Sequence, residues 1–75
     1  MTLQELGGKL NEMYTNAPYG DSVAMIHLFG IIYAAEIEKC PFSKKDIANA
    51  AGIATSYGTE ISKGVKLAKY VTPRL

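Results

Sequence analysis

The chain has 75 residues, of which 48% are hydrophobic and 20% are charged, and its formal net charge is +1. This length allows one compact domain and excludes a two-domain enzyme. So small a domain buries only about 60% of the surface that its unfolded chain exposes, so its stability is marginal without a disulfide, a metal or self-association.

The single cysteine, Cys40, and the single histidine, His27, limit the chemistry of the chain. One cysteine cannot form an intramolecular disulfide, and one cysteine with one histidine cannot make a four-ligand zinc site. No set of acid, base and nucleophile can be assembled either, so we expect no enzyme activity, no catalytic residue, no metal and no cofactor. His27 lies in an apolar stretch, where we interpret it as a hydrogen-bonded core or interface residue.

The uncharged stretch from Ser22 to Ala35 raises the question of a membrane segment. A bilayer-spanning helix needs about 20 apolar residues, and this stretch is shorter, so we predict a buried core helix and no membrane contact. The start of the chain also lacks the basic and apolar segments of a signal peptide. We therefore expect a complete or nearly complete small protein in the cytoplasm.

The first predicted element is an amphipathic helix. Thr2 and Glu5 have the spacing of a capping box at its start, and Gly7-Gly8 weakens its interior. Its apolar stripe has helical spacing and consists of Leu3, Leu6, Leu10 and Met13.

The second predicted helix follows the turn-forming residues 15–21, with Asp21 or Ser22 as its cap, and runs to about Lys39. Its middle is apolar on more than one face, so it must be buried on all sides. Three short helices would cover it poorly, so we predict a homodimer in which Gly30 allows close helix approach. The predicted interface residues are Val23, Ile26, Phe29, Gly30, Ile32 and Tyr33.

Two further helices complete the predicted fold. Cys40-Pro41 ends the second helix, and Ser43 caps a short third helix from Lys44 to Ala51, which ends at Gly52. The fourth helix is predicted from the spacing of its apolar residues and ends near Val71. Because strand-like alternation, repeats and long linkers are lacking, residues 1–75 are predicted to form a single all-α domain of four helices.

The segment 46–53, which reads Asp-Ile-Ala-Asn-Ala-Ala-Gly-Ile, resembles the helix-turn-helix of bacterial DNA-binding regulators, with the lac-repressor type as the nearest pattern. The resemblance covers about residues 43–71. Small Ala48 lets the two helices approach, and Gly52 permits the positive φ of the tight turn. Residues 55–58 lengthen the connection, so either the turn is longer than in that family or the recognition helix starts at Thr55 and tolerates Gly58.

The resemblance implies a small DNA-binding protein, a transcriptional regulator that reads the major groove of double-stranded DNA. It implies base-reading roles at the start of the recognition helix for Thr55, Ser56, Tyr57, Thr59, Glu60 and Lys63. It implies phosphate contacts from a backbone N–H at the start of the third helix, at Ser43. It also implies phosphate contacts from the basic side chains of Lys44, Lys45, Lys66, Lys69 and Arg74. In a dimer, two recognition helices would face half-sites about one DNA turn apart.

The charges of the chain are divided between its halves. Residues 1–39 hold two basic and five acidic residues, whereas residues 40–75 hold six basic and two acidic ones. A local positive field favours DNA binding because phosphate neutralisation supplies most non-specific affinity. The competing interpretation is a protein-interaction module, acting as an adaptor, an inhibitor or a complex subunit without DNA; the low net charge and the apolar second helix favour it.

Overall fold

The first helix of the computed structural model, which describes residues 1–74, is α1 (Leu3–Thr15). The predicted capping box is present: the Glu5 N–H donates to Thr2 Oγ1 at 3.1 Å, and the Thr2 N–H donates to Glu5 Oε1 at 2.8 Å. These bonds satisfy backbone donors that the start of a helix leaves free. Leu6 and Leu10 are fully buried, so the predicted apolar stripe faces the core.

The predicted second helix is in fact two helices, α2 (Ser22–Ile32) and α3 (Ala34–Lys39). Tyr33 interrupts them with φ −103° and ψ 19°, and its ring packs on the Phe29 ring with centroids 5.2 Å apart. After the interruption, α3 packs against the last helix and Ile37 enters the core. No glycine or proline marks this position, so the apolar pattern alone did not reveal the break.

The predicted helix-turn-helix consists of α4 (Lys44–Ala50), a 3₁₀ turn (Thr55–Tyr57) and α5 (Gly58–Leu67). Gly52 has the expected positive φ of 76°, and the Ile53 N–H donates to the Ala48 carbonyl at 3.1 Å. The two alternatives that the sequence left open, a longer turn or a recognition helix that starts at Thr55, therefore both hold in part. The connection is long, and the helical path nevertheless starts at Thr55, because the 3₁₀ turn runs directly into α5.

The last helix is shorter than predicted. α5 ends at Leu67, and the expected end near Val71 is wrong by a full turn. The Lys69 N–H donates to the Lys66 carbonyl and the Tyr70 N–H donates to the Leu67 carbonyl, so residues 68–70 form a tightened turn. Hydrogen bonds with this three-residue spacing commonly close the end of an α-helix.

Two glycines stand where α2 crosses α5. A Cβ added to Gly30 would lie 2.6 Å from the Ile61 carbonyl oxygen and 2.9 Å from the Gly64 Cα. A Cβ added to Gly64 would overlap the His27 carbonyl oxygen. The backbones of the two helices are therefore in direct contact, which only glycine permits.

This crossing corrects part of the predicted dimer interface. Gly30 is buried against Gly64 of the same chain instead of lying at a dimer axis. Ile26 and Phe29 are fully buried in the same core. These three residues are covered within one chain because α5 packs across α2, so they are not available to a second copy.

The all-α prediction is confirmed, although residues 1–74 form five α-helices rather than four. Helices account for 68% of the structure, and residues 1–74 contain no strand. None of the helices in this described part is long and apolar enough to cross a membrane. The core draws on every α-helix through Leu6, Leu10, Ile26, Phe29, Ile37, Ile47, Ala48, Ala51, Ile61 and Val65.

Candidate nucleic-acid interface

The helix-turn-helix carries a groove rich in hydroxyl groups, which we call the hydroxyl groove. It has a volume of about 290 Å³ and lies where the start of α4 meets the 3₁₀ turn and the start of α5. The surface that the groove exposes is mostly carbon, so the lysines, rather than a polar lining, supply the positive charge that suits an anionic ligand. The groove is lined by Ser43, Lys44, Lys45, Thr55, Ser56, Gly58, Thr59 and Ser62.

A second depression, the lysine cleft, continues this surface along α5. Its volume is about 230 Å³, and it shares Lys44 and Ser62 with the hydroxyl groove. Three lysines line it beside one carboxylate, so the lining is net positive. The lining residues are Glu38, Lys44, Ser62, Val65, Lys66 and Lys69.

Close backbone packing shapes the hydroxyl groove. A Cβ added to Gly58 would lie 3.2 Å from the backbone nitrogen of Lys45, so the start of α5 lies directly against the start of α4. The turn between the helices is tied to α1, because Asn11 Nδ2 donates to the Ala51 carbonyl at 2.9 Å. The first helix thus holds the turn that sets the two walls of the groove.

Ser43 lies at the groove, but its backbone N–H is already used. It donates to Asp46 Oδ2 at 3.1 Å, and the Asp46 N–H donates in return to Ser43 Oγ at 3.1 Å. This capping box confirms the predicted start of α4. The Asp46 carboxylate thus occupies the Ser43 N–H itself, and the phosphate contact expected from a backbone N–H at the start of this helix stays a prediction.

Three of the predicted base-reading residues come together in the hydroxyl groove. Thr55, Ser56 and Thr59 are all exposed and line it. The Thr59 hydroxyl donates to the Ser56 carbonyl at 3.0 Å, which leaves its oxygen lone pairs as acceptors.

Tyr57 is turned away from this groove. Its ring is half-buried against the core and packs on the Tyr14 ring with centroids 5.8 Å apart. The neighbouring Tyr57 phenol raises the pKa of Tyr14. Tyr57 therefore anchors the 3₁₀ turn to α1, and its predicted role in base reading does not fit its position.

Glu60 is directed toward α2. His27 Nε2 donates to Glu60 Oε1 at 2.7 Å, and Lys63 Nζ donates to Glu60 Oε2 at 3.3 Å. The hydrogen bond from His27 holds the pKa of the Glu60 carboxyl below its usual value, with a smaller contribution from Lys63. Glu60 thus links the predicted recognition helix to the core helix. Neither Glu60 nor the exposed Lys63 lines the hydroxyl groove.

The remaining predicted residues are dispersed. Arg74 is exposed near the end of the described chain and lines neither depression. Of the predicted dimer contacts outside the core, Val23 is exposed, and Ile32 and Tyr33 are half-buried.

Two polar lining residues were missing from the predicted site. Ser62 follows Thr59 by three positions and precedes Lys66 by four, so helical spacing could have placed it on the same face. Glu38 reaches the lysine cleft from α3, and only the break at Tyr33 brings it there. The acid that orients His27 was also missed, because His27 and Glu60 are 33 positions apart.

The five helices and the paired depressions on α4 and α5 define a small domain of the helix-turn-helix class. The chain belongs to the family of HTH-like domains, whose family model matches residues 2–74. No curated protein and no solved structure matches the chain significantly. The family match extends far beyond the segment 43–71 that carried the sequence resemblance, so α1 and α2 are part of the family's domain.

Proposed function

We propose that the protein binds double-stranded DNA through the hydroxyl groove and the lysine cleft, and that it acts as a transcriptional regulator. The observation that carries the proposal is the joining of these two depressions into one surface through Lys44 and Ser62. Membership of the HTH-like family supports it. The concentration of basic residues in residues 40–75 supports it as well, because DNA binding needs a local positive field.

The surface divides into two functional parts. Lys45, Lys66 and Lys69, with Lys44 between the depressions, hold phosphates and fix the register of the domain on the duplex. The hydroxyl groups of Thr55, Ser56, Thr59 and Ser62 face base edges, where a hydroxyl can both donate and accept. This assignment replaces Tyr57, Glu60 and Lys63, none of which lines the hydroxyl groove, with Ser62 among the base-reading residues.

A homodimer remains part of the proposal in a reduced form. The partly exposed apolar residues of α2 and of the break after it support it, with Val23, Ile32 and Tyr33 at the contact. Such a dimer would bind two half-sites about one DNA turn apart. Sedimentation velocity at micromolar concentration tests it: a monomer of 8.1 kDa would contradict the dimer but leave the DNA surface intact.

Fluorescence anisotropy with a labelled duplex of mixed sequence tests the DNA proposal. We expect the protein to bind the duplex at low salt. The logarithm of the association constant should fall linearly with the logarithm of the salt concentration, because each neutralised phosphate releases counterions. Selection from a randomised duplex library then tests sequence reading, with enrichment of one motif expected. Absence of binding at tens of micromolar protein, or binding indifferent to salt, would overturn the proposal.

A further inference from the structure

A third groove, the Tyr70 groove, lies between α2 and the last turn of α5. Its volume is about 330 Å³, and its lining is His27, Lys63, Lys66, Leu67 and Tyr70. Tyr70 is 81% exposed and Leu67 is 41% exposed, and exposed Val71 follows directly in the chain. Exposed apolar side chains that cluster around one concave site are typical of binding surfaces, whereas scattered ones are not.

This groove is distinct from the proposed DNA surface. Of its lining residues only Lys66 also lines the lysine cleft, and none lines the hydroxyl groove. A ligand in the Tyr70 groove would therefore bind beside the DNA surface rather than on it.

The charges at this groove favour an acidic ligand. Lys63 and Lys66 stand at its rim, and the lining contains no carboxylate. The nearest acidic group, Glu60, already accepts hydrogen bonds from His27 and Lys63. An acidic partner would therefore find unopposed positive charge on Lys66 and would meet no free carboxylate from the described residues of the lining.

We propose that the Tyr70 groove binds an acidic amphipathic helical segment of a partner protein, with the apolar face of that segment on Leu67 and Tyr70. Recognition of a helix in a groove uses apolar anchors at helical spacing, and acidic residues beside the anchors would pair with Lys66. The proposal goes beyond DNA binding and does not depend on it.

Two other occupants fit the groove less well. Single-stranded nucleic acid binds on successive aromatic platforms, whereas of the two aromatic rings in this lining only that of Tyr70 is exposed. His27 is half-buried and is held by Glu60. A second copy would need an acidic helix with exposed apolar residues. In α1, Glu5 and Glu12 lie among exposed polar residues, while the leucines of that helix face the core.

The test uses a fluorescein-labelled helical peptide of about 14 residues, with leucine or phenylalanine at positions i, i+3, i+4 and i+7 and glutamate elsewhere. The full chain should bind it, and the double variant Leu67→Gln with Tyr70→Gln should bind it at least tenfold more weakly. Lys66→Glu should weaken binding through charge. Tyr19→Gln is the matched control, because Tyr19 is a fully exposed tyrosine in the loop before α2, and it should leave peptide binding unchanged.

Further measurements decide between the occupants. Circular dichroism establishes whether each variant is folded. If the double variant is unfolded, the single variant Tyr70→Gln replaces it in the binding test, because Tyr70 lies outside α5. A scrambled peptide that binds equally well would overturn the proposal, because only charge would then matter. Displacement of the peptide by a single-stranded oligonucleotide, or a wild-type dimer that the double variant converts to monomer, would assign the groove to another occupant and overturn it as well.

Discussion

The two sides of α5 are built under opposite constraints. On the side facing α2, Gly64 lies in backbone contact with α2, and Ile61 and Val65 are buried. On the opposite side, Thr59 and Lys66 are exposed and line the proposed DNA surface. The buried side leaves no room for one methyl group, whereas water can solvate the exposed polar groups. Substitutions on the two sides should therefore separate stability from DNA binding.

The largest effect is expected at the helix crossing. Gly64→Ala places a Cβ against the His27 carbonyl of α2, so the two backbones must move apart. We expect the free energy of unfolding to fall by about 3 kcal/mol or more, as in severe overpacking. Urea denaturation followed by circular dichroism measures it.

The matched control for this prediction is Gly8→Ala. Gly8 is an exposed glycine inside α1 with nothing within 4 Å of an added Cβ. This change should stabilise the protein by roughly 0.5–1 kcal/mol, because alanine favours the helix and restricts the unfolded chain. Equal stability of the Gly64→Ala variant and the wild type would show that α2 and α5 do not touch in solution.

The next effect is on DNA rather than on stability. Lys44→Glu with Lys45→Glu should weaken duplex binding at least tenfold at low salt, about 1.4 kcal/mol, and reduce the salt slope by about two units. The fold should persist, because glutamate is favourable in the first turn of a helix. Anisotropy titrations at several salt concentrations measure both quantities.

Lys9→Glu with Lys39→Glu is the control for that reversal. It makes the same change in net charge, but both lysines lie in residues 1–39, and neither lines the proposed DNA surface. It should reduce the affinity for DNA far less. If both double variants lost the same amount of affinity for DNA, only the overall charge of the protein would determine DNA binding.

A smaller effect is expected where α1 holds the turn. Asn11→Ala removes the donor to the Ala51 carbonyl, and we expect the free energy of unfolding to fall by about 1 kcal/mol. DNA affinity should fall several-fold in parallel, because the turn sets the walls of the hydroxyl groove. Asn49→Ala, at an exposed position of α4, should leave stability intact; a similar loss there would contradict a specific role for Asn11.

The smallest effect is expected for Glu60→Gln, and it depends on pH. The hydrogen bond from His27 lowers the pKa of Glu60 below 4.5 in the folded protein. The carboxylate therefore stabilises the fold above pH 4.5, and this contribution is lost as the pH falls through the lowered pKa. Thermal melts from about pH 7 to about pH 3 should show that the wild type exceeds the variant in stability at neutral pH and loses this advantage in acid.

Glu12→Gln, at an exposed position of α1, is the control for the pH experiment. Its melting temperature should follow that of the wild type across the same range. A Glu60→Gln variant whose difference from the wild type does not change with pH would contradict the role assigned to the His27–Glu60 pair.

Features that depend on neighbours in the chain were predictable. Thr2 and Ser43 cap their helices as predicted, each with a partner three residues away. Gly52 adopts its positive φ because a tight turn after α4 requires it. The grouping of Thr55, Ser56 and Thr59 with Lys44 and Lys45 also followed from the resemblance of residues 43–71 to a helix-turn-helix.

Other features could not be predicted because they depend on contacts between distant residues. Nothing near Gly30 indicates whether its close neighbour is a second copy or Gly64 of the same chain. Tyr57 and Glu60 stand on the predicted recognition helix, yet Tyr14 and His27 draw them away from the groove.

The sequence by itself thus determined the all-α class, most helix starts, the turn at Gly52 and the basic character of residues 40–75, because short-range hydrogen bonds and composition govern these features. The tertiary structure decided the break at Tyr33, the crossing of α2 and α5, and which polar side chains of the helix-turn-helix remain free for a ligand. The physical reason is that packing selects among locally equivalent side chains, and it does so through partners more than 40 positions away, as between Tyr14 and Tyr57.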